Sequence, residues 1–121
     1  SKPMTYVDGF VVPVPKDKIE DYRKMAEMGA TVWKDHGALD YKECVADDVD
    51  DKGFCATFPG AFNTLKDGET LVFAFIVYKS REHRDEVNAK VMADPRLKCD
   101  ENNMPFDCKR MAYGGFKTIV E

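Results

Sequence analysis

"ETLVFAFIVYKS", residues 69–80, is the stretch whose reading decides the fold. In an extended chain Leu71, Phe73, Phe75 and Val77 point to one side, and Val72, Ala74, Ile76 and Tyr78 to the other. Both sets are apolar. An antiparallel sheet covered on only one face alternates apolar with polar residues. Two-sided apolarity therefore predicts a strand in a sheet that is covered on both faces. Asp67-Gly68 supplies a turn before it, and Ser80 is placed to cap a helix after it.

Upstream, "YVDGFVVPV" (6–14) alternates as a strand, and Pro13 and Pro15 close it by removing ladder donors. The period then changes. In residues 16–37, Ile19, Tyr22, Ala26, Ala30 and Trp33 repeat at three and four residues, which predicts a helix that Gly37 stops. "ALDYKECVAD" (38–47) reads as a second strand, and residues 48–68 show no sustained period. Downstream of the 69–80 strand, "REHRDEVNAKVMA" predicts a second helix ending before Asp94-Pro95. A second aperiodic stretch, "RLKCDENNMPFD", leads to a last strand over 109–120. The order is β-α-β, β-α-β. That predicts an α+β domain of ferredoxin-like βαββαβ type spanning residues 1–121, four antiparallel strands with two helices on one face.

With both helices on one face, the chain has no further element for the other. A second copy of the chain, packed sheet against sheet as a homodimer, is the simplest cover. The 48–68 loop folded over that face is the alternative.

Composition narrows the function classes. The chain has 121 residues, enough for one domain and too few for two. Its net charge of −4, with no clustered basic surface, argues against a nucleic-acid partner. No window approaches the roughly 20 apolar residues of a membrane span, and "SKPMTYVDGF" lacks the apolar run of a signal peptide. No membrane association and a cytoplasmic location are expected. Cys44, Cys55, Cys99 and Cys108 form no C-x-x-C pair, and neither His36 nor His83 stands at a ligand-like interval from them, so a zinc site is not expected. "DDVDD" (47–51) fails as a calcium loop, since Lys52 and Pro59 would occupy positions that need oxygen ligands. No metal and no other cofactor is expected; haem would rest on His36 alone.

Four stretches carry a family resemblance: "YVDGFVV" (6–12), "HGAL" through "ADDV" (36–49), "VMADPR" (91–96) and "MPFDCKRMAYGGF" (104–116). In these the chain resembles the YbaA-like family of small bacterial domains of unknown function, within the dimeric α+β barrel superfamily. The family pattern has glycine where this chain has Cys108. The resemblance implies a homodimeric α+β barrel of bacterial, cytoplasmic type and brings no assigned reaction. The wider superfamily includes cofactor-free monooxygenases, lactone isomerases, haem-degrading enzymes and ligand binders, and fold alone does not choose among them.

Candidate chemistry rests on a few polar residues in apolar settings. Asp8 shares a strand face with Tyr6, Phe10 and Val12, so it needs a dedicated partner, such as Arg110, or serves as a general base. His36 follows the first helix and suits either its negative pole or proton transfer. Arg110 offers a cation for a carboxylate or enolate. Glu43, beside Leu39, Tyr41 and Val45, poses the same question as Asp8, with an edge-strand charge as the ordinary reading. In the last strand Gly114 and Gly115 leave room for a close approach, by a partner subunit or a ligand. Arg110, Ala112, Gly114 and Phe116 share one face, with Tyr113 on the other. The expected ligand-handling set is Asp8, His36 and Arg110 as catalytic groups, with Trp33, Tyr113, Gly114 and Phe116 against a small, partly apolar organic molecule. The chemistry would be cofactor-free proton transfer or oxygenation. A non-catalytic dimeric interaction module is the rival.

Overall fold

The computed structural model describes residues 3–61, 65–97 and 103–121. Strand β1 (Tyr6–Pro15) passes through a 3-10 turn (Lys16–Lys18) into helix α1 (Ile19–Asp35), followed by β2 (Asp40–Val45). A one-turn helix α2 (Phe58–Ala61) precedes β3 (Glu69–Tyr78), then come α3 (Arg81–Met92) and β4 (Ala112–Lys117). The sheet order is β2-β3-β1-β4, and every neighbouring pair is antiparallel. The chain is thus α+β, with a four-stranded antiparallel sheet. Among the described residues no helix is long and apolar enough to cross a membrane.

The long apolar stretch of 69–80 lies inside the sheet, between β2 and β1: β3 pairs with β1 along ten residues, from Tyr6 opposite Tyr78 to Pro15 opposite Glu69. One face of this ribbon carries Tyr6, Asp8, Val12 and Val14 beside Val72, Ala74, Ile76 and Tyr78, all buried. They pack against Tyr22, Ala26 and Val32 of α1 and Val87 and Val91 of α3. The opposite face carries Val7, Val11, Leu71, Phe73, Phe75, Val77 and Phe116. Phe58 of α2 meets Phe73 edge-on, at 5.8 Å between ring centres. Phe73 nevertheless stays 42% exposed and Phe116 61% exposed, so this apolar face is only partly covered within one chain.

Local signals set the element ends. Gly37 adopts φ +115°, a left-handed conformation that ends α1. Gly68 adopts φ +79° in the turn before β3, where its carbonyl accepts from the Lys16 N–H at 2.8 Å. Ser80 Oγ accepts from the His83 N–H at 3.0 Å and caps α3. Two elements differ from expectation. Residues 58–61 form a helical turn inside the aperiodic loop, too short to show a period. The last strand starts at Ala112 because residues Cys108–Arg110 close a 3-10 turn capped by Asp107, whose carboxylate accepts from the Lys109 N–H at 3.0 Å. Cys99 and part of the 96–107 stretch lie outside the described residues.

Candidate functional site

Strand β2 is an edge strand, paired on one side only, with β3. Its register sets Tyr41 opposite Ile76, Glu43 opposite Ala74 and Val45 opposite Val72, so these three face the helical layer. Helix α1 presents Tyr22, Ala26 and Ala30 to them, four residues apart on one helical face. The small alanines hold the helix surface back, and a cleft of about 390 Å³ remains between α1 and β2. Ile19, Val45 and Val72 complete its apolar walls. This is within the size range of small-molecule sites.

Of the charged residues that line it, Glu20, Arg23 and Glu27 are exposed at the rim, and Glu43 is built into the wall. Glu43 accepts from Tyr22 Oη on one carboxylate oxygen and from Tyr41 Oη on the other, each at 2.7 Å. Charge-assisted bonds of this kind contribute about 1.5–3 kcal/mol apiece. They fix the carboxylate in one orientation, with both phenol protons committed to it. Burial, and then the negative charge of Glu43, push both phenols well above the ordinary tyrosine range, so they remain neutral donors. Gly29 belongs to the same construction. A Cβ there would meet Tyr41 Oη at 3.0 Å, and the bare backbone lets the hydroxyl lie against the helix.

Asp8 lies elsewhere, 5% exposed on β1 under α3. Its partner is Arg84, not Arg110: Arg84 Nη1 donates to one oxygen at 2.7 Å, and Asn88 Nδ2 approaches the other at 3.4 Å. Asn88 Oδ1 in turn accepts from Trp33 Nε1 at 3.0 Å and from Tyr78 Oη at 2.9 Å. The Arg84 guanidinium also stands 5.0 Å from the centre of the Tyr6 ring. This network ties β1, β3, α1 and α3 together at their polar points. Removing one partner from a buried pair costs about 3–5 kcal/mol because it strands the other charge. Among the described residues every buried side-chain nitrogen and oxygen has a hydrogen-bond partner.

The other nominated residues scatter. His36 Nε2 lies 2.7 Å from Asp94, just beyond α3, and Asp94 also receives the Arg96 guanidinium. Arg110 donates from both terminal nitrogens to Glu69, at 2.6 and 3.0 Å. Trp33 is packed in the core beside Tyr41, at 6.0 Å between ring centres. Tyr113 stacks on Phe10 at 6.3 Å but is 76% exposed, on the helical side of the sheet. Gly114 opposes Gly9 on the other side, and the Phe116 ring lies over both, within 3.5–3.6 Å of where their Cβ atoms would be. Asp8, His36 and Arg110 are thus each engaged by a different partner, and none lines the α1–β2 cleft.

Tyr22 and Tyr41, the residues that define the cleft's polar centre, carry a signal that sequence reasoning passed over. A carboxylate alternating with Tyr41 and Val45 needs a donor, and Tyr22 stands on the apolar stripe of the facing helix. Arg84 and Asn88 leave no such trace. They sit on a helix of mostly polar sequence, and only docking turns them toward Asp8.

Residues 5–108 match the family described as "Protein of unknown function (DUF1428)". The chain belongs to this family. It is 49% identical over 118 residues to "Uncharacterized protein YbaA" of Escherichia coli strain K12, a match covering 98% of this chain and 99% of the relative. The same figures hold for the proteins of that name from Escherichia coli O157:H7 and Shigella flexneri. Among solved structures it is similar to "De novo designed protein Foldit4", at a TM-score of 0.46 and 11% identity over 97% of this chain and 99% of that one.

Proposed function

We propose that this DUF1428 member is a homodimeric α+β barrel protein that holds a small, partly apolar organic molecule in the cleft between α1 and β2. The observation that carries this reading is the Glu43 carboxylate, held between two phenols among apolar walls, with the Glu20, Arg23 and Glu27 side chains at the exposed rim. Securing an edge strand to a helix needs one hydrogen bond. Two donors on one carboxylate, beside space left by Ala26 and Ala30, suit a preorganised binding group. The strand order β2-β3-β1-β4 supports the ferredoxin-like description. The half-exposed apolar face, with Phe73 and Phe116, supports pairing of two sheets across a two-fold axis. Exposed thiols at Cys44, Cys55 and Cys108 suit a reducing, cytoplasmic setting. In this reading Asp8, His36 and Arg110 hold elements together.

Native mass spectrometry of protein purified from cells, before and after denaturation, tests the proposal. The expected result is a dimer carrying an organic molecule that is released on unfolding and is absent when Ala30→Phe fills the cleft. A bare dimer, identical in both variants, would favour the interaction-module reading, which the partnering of every buried polar side-chain atom among the described residues supports.

A further inference from the structure

Most of the hydrogen-bond donors around the α1–β2 cleft are already engaged. Tyr22 and Tyr41 give their hydroxyl protons to Glu43. Arg23, the cationic side chain of the lining, gives Nε and Nη2 to Glu20 at 3.1 and 2.6 Å and Nη1 to Glu27 at 2.7 Å. Two of the five Arg23 N–H groups are not used in these bonds, but they sit at the exposed rim; around Glu43 what remains for a ligand is lone pairs, on the phenol oxygens and on the carboxylate. The charge has the same sense, three carboxylates (Glu20, Glu27 and Glu43) against one guanidinium. A bound carboxylate would meet acceptors and negative charge together. A neutral alcohol would find acceptors for one proton and gain nothing from the charge.

We infer that the cleft selects a cation: a protonated amine or amidinium on a small apolar body, its N–H groups directed at Glu43 and its body lying against Ala26, Ala30, Val45 and Val72. This rests on the reading of the cleft as a small-molecule site and adds the chemistry of what enters. Three features favour the cation over a merely polar head. Glu43 is fixed before the ligand arrives, so little ordering is required on binding. It lies half-buried, where an opposite charge counts for more than at the open surface. The phenol oxygens lie 2.7 Å from its two oxygens, so several acceptors are gathered for the three N–H groups of an ammonium. The Glu20–Arg23–Glu27 ladder lies at the exposed rim and leaves the mouth net negative, which draws a cation inward.

Two matched probe sets test this on the full chain: 2-phenylethylamine, 2-phenylethanol and 3-phenylpropanoate, and 3-methylbutylamine with its alcohol and acid. Binding is followed through the NMR resonances of Tyr22, Tyr41 and Val45. The amines are expected to perturb all three and to bind about tenfold or more tighter than the matched alcohols, and the acids to leave them unmoved. Glu43→Gln keeps the shape and an acceptor for the phenols, and should erase the preference of amine over alcohol. Should that variant fold poorly, Glu20→Gln combined with Glu27→Gln alters only the exposed rim. It frees Arg23, and amine affinity should fall while the acids begin to bind. Alcohols or acids that move the same resonances as tightly as the amines would overturn the cation preference and leave the cleft standing. If no member of either set moves Tyr22, Tyr41 or Val45, the cleft is not a site and both readings fall.

Discussion

Two adjacent glycines in β4 show how differently the same residue can be used. Gly114 faces the side away from the helices, where an added Cβ would sit at ordinary contact distance, 3.5 Å, from the Phe116 ring. Gly115 faces the helices opposite Asp8, and a Cβ there would run into the Tyr6 hydroxyl and come within 2.9 Å of two ring carbons. The Tyr6 ring is 9% exposed and stacked under Arg84, so it has little room to retreat. Gly115→Ala is therefore expected to lose about 1–3 kcal/mol, the ordinary cost of overpacking. Gly114→Ala should change stability by less than about 0.5 kcal/mol. Urea denaturation of both variants, alone and combined with Tyr6→Ala, checks this. The Gly115→Ala penalty should largely vanish once the Tyr6 ring is gone, and a penalty that persists would point to the backbone instead.

At the scale of elements, the ends of α1 and α3 are lashed by charge. Asp35 and His36 close α1, Asp94 and Arg96 follow α3, and Arg96 bridges to Asp35 and Asp94, each at 2.7 Å. The Arg96 guanidinium, then its backbone N–H, then His36 hold the Asp94 carboxyl far below the usual carboxylate range. The sign follows from linkage. A carboxylate whose folded pKa is depressed adds stability that is fully present above its unfolded value of about 3.9 and is lost as pH falls toward the folded one. Asp94→Asn should thus be less stable than the parent at pH 7 by an amount that stays constant down to about pH 5 and shrinks below about pH 4. Denaturation midpoints at pH 7, 5, 4 and 2.5 give the comparison. Curves that remain parallel to the lowest pH would show that Asp94 contributes no charge-linked stability.

For the whole molecule the decisive surface is the apolar side of the sheet. Phe73 and Phe75 lie 6.2 Å apart at its centre, with Phe58 over one end and Phe116 toward the other edge. Scattered exposed apolar residues are ordinary, but a contiguous aromatic patch on a sheet calls for a cover. If two copies supply it, Phe73→Asp places two uncompensated charges in the interface and should give a monomer by sedimentation velocity, with the far-UV spectrum kept. A parent chain that is already monomeric at micromolar concentration, with Phe73→Asp unchanged in mass, would sink the pairing and assign the cover to residues 46–61.

Much of this was legible from local pattern. The alternation in 6–14 and 69–80, the three- and four-residue period of 16–37, Ser80 as a cap and Gly37 as a stop are properties of short windows. Backbone geometry turns each directly into an element. Partner choice was not legible in this way. Asp8 needs a cation whichever it is, and strand alternation says only which face it occupies. That Arg84 and not Arg110 answers it depends on α3 docking over β1 while residues 108–110 turn toward Glu69. The cleft has the same origin. Tyr22 and Tyr41 converge on Glu43 because α1 crosses an edge strand at a distance set by Ala26, Gly29 and Ala30. Local pattern thus set the long strands and helices, their order and the need for each buried charge to be met, but not the short turns at Phe58–Ala61 and Cys108–Arg110. Which groups meet is settled by the folded packing, because contacts between residues far apart in the chain are encoded by no local period.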